Sequence, residues 1–409
     1  MDDQRYRYFN KLLSDIQNHR EYYNERRSIN IDRFKARNFY DKYNENSEKN
    51  PDNDLNETIF GQLFHHYENV DGKYFLLRKD ERLFRVELLG EEAIDAGGPF
   101  HKTISDLCEE LHSDYIDLFI KTPNNKYNIG ELRDKYIINP NSNKNIHKKA
   151  YEFIGKLMAM AISSGEALNL NLHPIVWKSI LENEILFEEY KTIDYSFFNS
   201  INELEKELKK NDQNSLLDLN FVIKNSNESD IELIKNGKIT EVKQDNLEQY
   251  INLSKSMRIG EINTQIEYIK RGLFSAIKKN IIQILTWNQL EEMVCGKINL
   301  DIDDFKKHTV YRGYNGNEQI IKWFWDWLTN AKEEEKFKYL KFVSGRTRLP
   351  KSGIGYSYTH TITQVSINNK FPRSSTCFFT LKLPNYDSQE EFIEKMKYSI
   401  ENCSDITDH

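Results

Sequence analysis

Apolar residues along this chain fall into stretches of helical spacing and stretches of alternation, separated by polar runs. Thr58 to Tyr67 (TIFGQLFHHY) reads as a short apolar helix, and Arg82 to Leu89 (RLFRVELL) as a strand. Gly97-Gly98-Pro99 then forces a turn before a helix from Phe100 to Leu111. Those glycines also suit an anion cradle at a helix N-terminus. No P-loop spacing follows, however, and Glu91, Glu92 and Asp95 crowd the stretch, which favours a tight structural turn. Lys148 to Ser163 places Tyr151, Ile154, Met158, Ala161 and Ile162 on one helical face. Its small residues Gly155, Ala159 and Ala161 predict close packing against a second helix. Patterned helices return at Glu261 to Ile277 and at Trp287 to Cys295, the latter stopped by Gly296.

Elsewhere the pattern is weaker. Residues 1–40, rich in Tyr, Arg and Asn, look helical but lack a strong apolar stripe, as in a capping helix or the end of something longer. Asn-rich runs at Asn44 to Asn56 and Asn139 to Asn145 look like solvated loops. From about Leu168 to Leu253, charged helix (Ile201 to Lys210) alternates with Asn-rich loops, which suggests an inserted second subdomain. Its aromatics Tyr190, Tyr195, Phe197, Phe198 and Tyr250 are either a small private core or a docking surface.

The last part of the chain predicts a small α/β unit. Helix Glu318 to Leu328 buries Ile320, Phe324, Trp327 and Leu328, and Tyr339 to Pro350 reads helix, turn and exit. Thr361 to Ile367 alternates with Thr363, Val365 and Ile367 on one side. Ser388 and Glu391 form a capping box for a closing helix that turns Phe392, Met396 and Ile400 inward. Ahead of this unit, Tyr311 to Asn317 (YRGYNGN) suits either a plain turn or a hinge.

Composition narrows the function classes. At 409 residues, two or three subdomains are expected. A net charge of −7 argues against nucleic acid or an anionic membrane as the main partner. The cysteines Cys108, Cys295, Cys377 and Cys403 are scattered with no C-x-x-C, which predicts neither a metal site nor a disulfide framework and fits a reducing compartment. No apolar run is long enough for a membrane span and no signal-peptide core opens the chain, so a soluble, cytoplasmic protein is expected.

One thiol stands out. In FPRSSTCFFTLKLPNY (Phe371 to Tyr386), a turn-type run from Pro372 to Thr376 delivers Cys377 to the start of a strand. That strand sets Phe379, Leu381 and Leu383 on one face and Thr380 and Lys382 on the other. A thiol at a loop mouth pinned by a strand suits a nucleophile. Its shared parity with Phe379 equally suits an inert core cysteine. Cys295, on the apolar side of a helix end, reads as core.

Six stretches lift the nucleophile reading: GEEAIDAGGPF, FIGKLMAMAI, LEEMVCG, IIKWFWDWL, FVSGRTRLP and STCFFTLKLP. In that order and spacing the chain, from about Thr58 onward, resembles a HECT-type ubiquitin ligase domain, most like those of the large HERC ligases. The resemblance implies an α+β, bilobal HECT fold: a mostly helical N-lobe with an inserted E2-binding subdomain, a flexible hinge and a smaller α/β C-lobe. Mapped here, it gives an N-terminal helical and linker segment at 1–56, an N-lobe at 57–310 with its E2-binding subdomain at about 168–253, a hinge at 311–317 with Gly313 and Gly316, and a C-lobe at 318–409. It implies no cofactor and no metal, and as partners a ubiquitin-charged E2, ubiquitin and protein substrates. Tyr195, Phe198, Ile201 and Tyr250 are the expected E2 contacts. Many members have His two residues before the cysteine, Asn two after it, and a phenylalanine near the C-terminus. Here Ser375 and Phe379 stand at the first two places and Ile406 is the nearest apolar candidate for the third. Members take substrate specificity from upstream segments, so the chain reads as a detached catalytic module or part of a longer ligase.

The implied chemistry fits the residue types. Cys377 accepts ubiquitin as a thioester in a near-thermoneutral exchange whose main requirement is proximity, and passes it to a lysine. Ser375, Thr376 and Phe378 frame the nucleophile; Thr376 either bonds the thioester oxygen or fixes the loop. Arg373, Arg346 and Arg348 are candidates to favour the thiolate. Glu401, Asp405 and Asp408 either orient the acceptor lysine or belong to a solvated tail. Two rivals stand beside the ligase. One is a cysteine hydrolase acting on ubiquitin, for which His360 is the histidine nearest in sequence. The other is an E2- or ubiquitin-binding module without transfer activity.

Overall fold

The computed structural model describes residues 2–19, 28–45, 55–79, 81–88, 98–210, 219–296, 300–344, 359–366, 370–376 and 379–402. Their buried apolar side chains gather into two separate cores. One runs from Tyr6 to Cys295, the other from Phe305 to Ile400.

The first core starts at the N-terminus. Helix α1 (Asp2–Asn18) buries Tyr6, Phe9 and Leu13, one face at helical spacing. Its Gln17 amide donates to the carbonyl of Ser163 at 2.9 Å. Strand β1 (Ser28–Ile31) pairs in parallel with β2 (Arg85–Leu88). The described opening residues therefore pack into this core. Their apolar stripe is thin because aromatics and arginines share the helix. Helix α2 (Arg33–Glu45) brings Tyr40 to Glu110, a buried carboxylate on α4 (Gly98–Leu111). Glu110 also accepts the backbone N–H groups of Ile59 and Phe60 at 2.8 and 2.6 Å, at the start of α3 (Ile59–Tyr67). Thr58 caps α3 locally, accepting from Gly61 N–H at 3.0 Å. Burial pushes the Glu110 carboxyl up to about 7.

Strands β3 (Phe119–Lys121) and β4 (Tyr136–Ile138) form an antiparallel pair. Helix α5 (Asn145–Ser164) is buried on nearly every side. It crosses a later helix at two glycines: a Cβ on Gly155 would lie 2.0 Å from the Ile269 carbonyl oxygen, and one on Gly272 would lie 1.8 Å from that of Glu152. The Asn139 to Asn145 run, expected as a solvated loop, is in part an anchor. Asn139 is buried and donates to Asp117, because an amide there serves two backbone turns at once.

The polar stretch after Leu168 is more regular than its pattern suggests. Helix α6 (Tyr195–Lys210) begins six residues before the charged run that announces it. Strands β5 (Val222–Lys224) and β6 (Asp230–Glu232) form a hairpin. Helix α7 (Leu247–Gly260) follows, then α8 (Asn263–Ala276), which carries Gly272, and α9 (Trp287–Cys295). Periodicity misses α7 because its buried face includes Ser254 and Arg258 beside Tyr250 and Ile251.

Cys295 is the last residue of the first core, and Leu300 already packs against the second. Helix α10 (Ile302–Lys307) puts Phe305 at the centre of that second core. A four-stranded sheet of order β7-β8-β10-β9 backs it: β7 (Thr309–Arg312), β8 (His360–Gln364), β9 (Arg373–Ser375) and β10 (Thr380–Leu383). β7 with β8 and β8 with β10 run parallel, and β9 with β10 antiparallel. Helices α11 (Gln319–Asn330), α12 (Glu333–Ser344) and α13 (Gln389–Glu401) cover it.

Two expectations change here. The hinge assigned to 311–317 does not lie between the cores. Tyr311 ends in β7, and Tyr314 is buried in the second core with its hydroxyl donating to the Leu383 carbonyl at 2.9 Å. Gly313 and Gly316 sit there at φ +80° and +86°, so they make the left-handed turn between β7 and α11. In β8 the apolar residue buried in the core is Ile362. The strand starts at His360, and Thr363 and Val365 are only half-buried. Ile367 lies outside the described residues. The Pro372 to Thr376 run, expected as a turn, contains strand β9, whose pairing with β10 overrides its turn-type composition. Among the described residues no helix is long and apolar enough to cross a membrane.

Candidate active site

Strands β9 and β10 frame the stretch that holds the candidate nucleophile. Their register opposes Ser375 to Thr380, so residues 376–379 make the connection. Cys377 and Phe378 lie outside the described residues, as do Arg346, Arg348, Asp405, Ile406 and Asp408. The residues on either side of the cysteine are described. Ser375 and Thr376 are half-buried, and the Thr376 carbonyl accepts from Phe379 N–H at 3.3 Å.

Phe379 adopts φ +47°, the left-handed region that a bulky L side chain enters at a disadvantage of about 1–2 kcal/mol. Tertiary contacts hold it there. Its carbonyl accepts from Thr361 N–H at 3.0 Å, tying it to β8. Its ring packs against Phe305 and His360, with centroids 5.9 and 5.2 Å away. Helix α10 and strand β8 thus fix the backbone two residues beyond the cysteine. Phe379 is only half-buried, whereas Leu381 and Leu383 are fully buried on the face expected for them.

His360 bears on one rival. The imidazole is sealed from solvent, with Tyr339 Oη 2.8 Å from Nε2 and Thr309 Oγ1 3.0 Å from Nδ1. The Thr309 hydroxyl donates to the Phe305 carbonyl at 2.9 Å. A consistent proton arrangement follows: Tyr339 donates to Nε2, and Nδ1–H donates to Thr309. Burial pushes the ring's pKa down to about 3, so it is neutral at working pH. With both nitrogens committed in a dry core, this ring is not placed to activate a thiol as a hydrolase requires.

Two of the four thiols are also accounted for. Cys108 and Cys295 are buried and unbridged, and burial pushes the Cys108 thiol far above its ordinary range. They match the inert class, and Cys377 and Cys403 lie outside the described residues. Glu401 is exposed at the end of α13.

The expected docking residues separate into two kinds. Ile201 and Tyr250 are buried, Tyr250 edge-on to Phe221 at 5.6 Å, so neither presents its side chain to a partner. They are core residues, a correction to their reading as contacts. Tyr190 is likewise sealed, and Phe187 packs on Phe198 at 5.4 Å. Much of the aromatic set is thus private packing. Tyr195 remains exposed at the start of α6, and Phe198 is half-buried. Ile239, not among the expected residues, is 83% exposed, three residues after the left-handed Asn236. An apolar residue in a Gly-Lys-Ile-Thr turn was the available signal.

The family model described as HECT-domain (ubiquitin-transferase) matches residues 105–407, which includes the whole second core and the cysteine connection. The chain is 29% identical over 358 residues to mouse "E3 ubiquitin-protein ligase HERC2", covering 86% of this chain and 7% of that protein. It is 30% identical over 330 residues to human "E3 ubiquitin-protein ligase NEDD4", covering 78% of this chain and 24% of that one. For "E3 ubiquitin-protein ligase pub1" of Schizosaccharomyces pombe the values are 28% over 327 residues, 77% and 41%. The chain therefore spans well under half the length of each of these relatives. With a match that extends over most of its length, this chain belongs to the HECT-domain (ubiquitin-transferase) family.

Proposed function

We propose that this chain is the catalytic part of an E3 ubiquitin ligase that carries ubiquitin on Cys377. The observation that carries this reading is the family match running through the β9–β10 connection, where Cys377 stands between Thr376 and Phe378. The Cys377 thiolate attacks the carbonyl carbon of the E2–ubiquitin thioester, and the E2 thiolate leaves as the new thioester forms. A neutral lysine amine of a substrate then attacks that carbonyl. The amide forms, the Cys377 thiolate is released, and the amine's proton passes to a base or to water. The first exchange needs only a thiolate, with an ordinary thiol pKa of ~8.5, and proximity. That requirement suits a site whose nearby histidine is tied up in the core.

In this reading the second core is the carrier lobe, and the first core is the lobe that receives the charged E2. Tyr195, Phe198 and the exposed Ile239 are the residues assigned to E2 contact. Thr376 fixes the turn through its carbonyl bond to Phe379. Ser375, paired with Thr380, sets where the strand ends. The lobes reorient about the junction between the two cores, so that one sulfur faces first the E2 and then the substrate. A cytoplasmic site of action fits a carrier thiol that must stay reduced. The test is a non-reducing gel after mixing the chain with E1, charged E2 and ubiquitin. An adduct one ubiquitin heavier appears in the wild type, disappears with reductant and is missing in Cys377→Ala. An adduct that survives in Cys377→Ala overturns the assignment.

A further inference from the structure

Arg258 is 1% exposed, the kind of burial a guanidinium tolerates only with dense pairing. Two guanidinium nitrogens lie 3.1 Å from Asp194 Oδ2, and Nε lies 3.2 Å from Glu261, whose carboxylate is itself sealed from solvent. The same two nitrogens, Nη1 and Nη2, also reach the hairpin, at the carbonyl of Lys224 (3.2 Å) and the hydroxyl of Ser226 (2.9 Å), while Nε faces Glu261 as an ion pair without a hydrogen bond. Ser226 in turn donates to Glu261 from its backbone at 3.1 Å and from its hydroxyl. Phe197 stacks 4.5 Å from the guanidinium carbon, and the Tyr190 hydroxyl donates to the Arg258 carbonyl. Asp194 also accepts Phe197 N–H at 3.0 Å in the first turn of α6. One side chain therefore joins α6, α7 and the end of β5.

The same hairpin end is held from the other side. Asn225 donates to Asn141 at 2.7 Å, Asn227 donates to Asn139 at 3.0 Å, and Asn141 donates to Ser229 at 2.7 Å. The opposite end of the hairpin is different. There Leu233 N–H bonds the Phe221 carbonyl, and the turn beyond it leaves Ile239 83% exposed. The anchored end of the hairpin and its open end lie about 10 Å of strand apart, and the exposed Ile239 follows beyond that open end.

We propose that Arg258 is a positioning residue: held by Asp194 and Glu261, it fixes the β5–β6 hairpin to α6 and α7 so that the Ile239 tip meets the charged E2 as a preset surface. This inference rests on the ligase reading above and adds to it how the docking surface is held. A lysine at 258 keeps the charge but offers one nitrogen in place of a planar fork, so it cannot satisfy both carboxylates and both hairpin acceptors. Ser226→Ala is the milder probe, since it deletes the hydroxyl bonds and leaves the ion cluster in place.

The experiment measures two quantities on the full chain. Hydrogen exchange follows the amides of residues 222–232 against those of α5 and α8, and thioester formation on Cys377 is followed against charged-E2 concentration. In Arg258→Lys the hairpin amides exchange about tenfold faster while α5 and α8 keep their protection. The E2 concentration giving half-maximal rate rises about five- to tenfold, with the saturating rate unchanged. Ser226→Ala moves both in the same direction by about two- to threefold. Unchanged hairpin exchange in both variants overturns the anchoring. Faster exchange with an unchanged E2 dependence, or a fall in the saturating rate alone, overturns the docking role. A wild type that accepts no ubiquitin overturns the ligase reading and the docking role with it, while the exchange result still decides the anchoring.

Discussion

Arg258 in the first core and His360 in the second are both sealed from water, yet they are held in opposite ways. Arg258 keeps its charge and is surrounded by two carboxylates, a carbonyl and a hydroxyl. His360 has lost its charge, bonds two neutral hydroxyls and lies among the rings of Phe305, Phe324 and Tyr339. The first region is spread over many helices and uses buried polar pairs such as Arg258–Glu261 and Glu110 with α3 to set their mutual placement. The second is a small sheet closed by aromatics. A region that must present a surface benefits from directional bonds. A region that moves as one piece benefits from a dense core with few groups to leave unsatisfied. Among the described residues, no helix or strand of one core packs along one of the other.

If the two regions are separate bodies, a lesion in one leaves the other folded. The largest test is Phe305→Ala, which removes a ring that touches Trp325, Tyr339, His360 and Phe379. It lowers the stability of the second region by about 3–5 kcal/mol. In urea, two transitions then separate, and only the one reported by the tryptophans of α11 shifts; a single shared shift breaks the comparison.

Glu110 gives the next effect, on the first region alone. Its folded pKa of about 7 stands above the unfolded 4.5, so the folded state holds a proton that the unfolded state releases between those values. Stability from this group is complete below about pH 4.5 and is lost as pH rises towards 7, by on the order of 3 kcal/mol. Subtracting the pH–stability curve of Glu110→Gln from that of the wild type isolates this slope. A flat difference curve refutes it.

The smallest expected effect is at a contact between the regions. Lys341 on α12 pairs with Glu109 on α4, both side chains being at least one-third exposed. Lys341→Ala changes the stability of either region by less than about 0.5 kcal/mol. A larger loss in chemical denaturation shows that the regions are coupled more tightly than their separate cores suggest.

What the sequence made legible follows the same division. Helices α3, α9 and α13 were readable because each pairs a local start signal with an apolar face, as at Thr58 or Ser388, and α11 from its apolar face alone. Helix α7 was not, since a buried arginine and serine interrupt its period, and their partners lie far away in sequence. The turn-like Pro-Arg-Ser-Ser run hid β9, because strand pairing is a tertiary fact. The candidate nucleophile was legible from its motif. Of the expected docking residues, Ile201 and Tyr250 fill the core while Ile239 went unseen, because exposure depends on neighbours that periodicity does not report.

The passage from Cys295 to Leu300 sets a geometric limit on any exchange between the regions. Five residue steps reach at most about 18 Å even when fully extended. Leu300, and α10 immediately behind it, therefore stay on a short leash. A point of the second region far from that passage would cover long arcs by swivelling, as the point of a compass does, and hardly at all by drifting away.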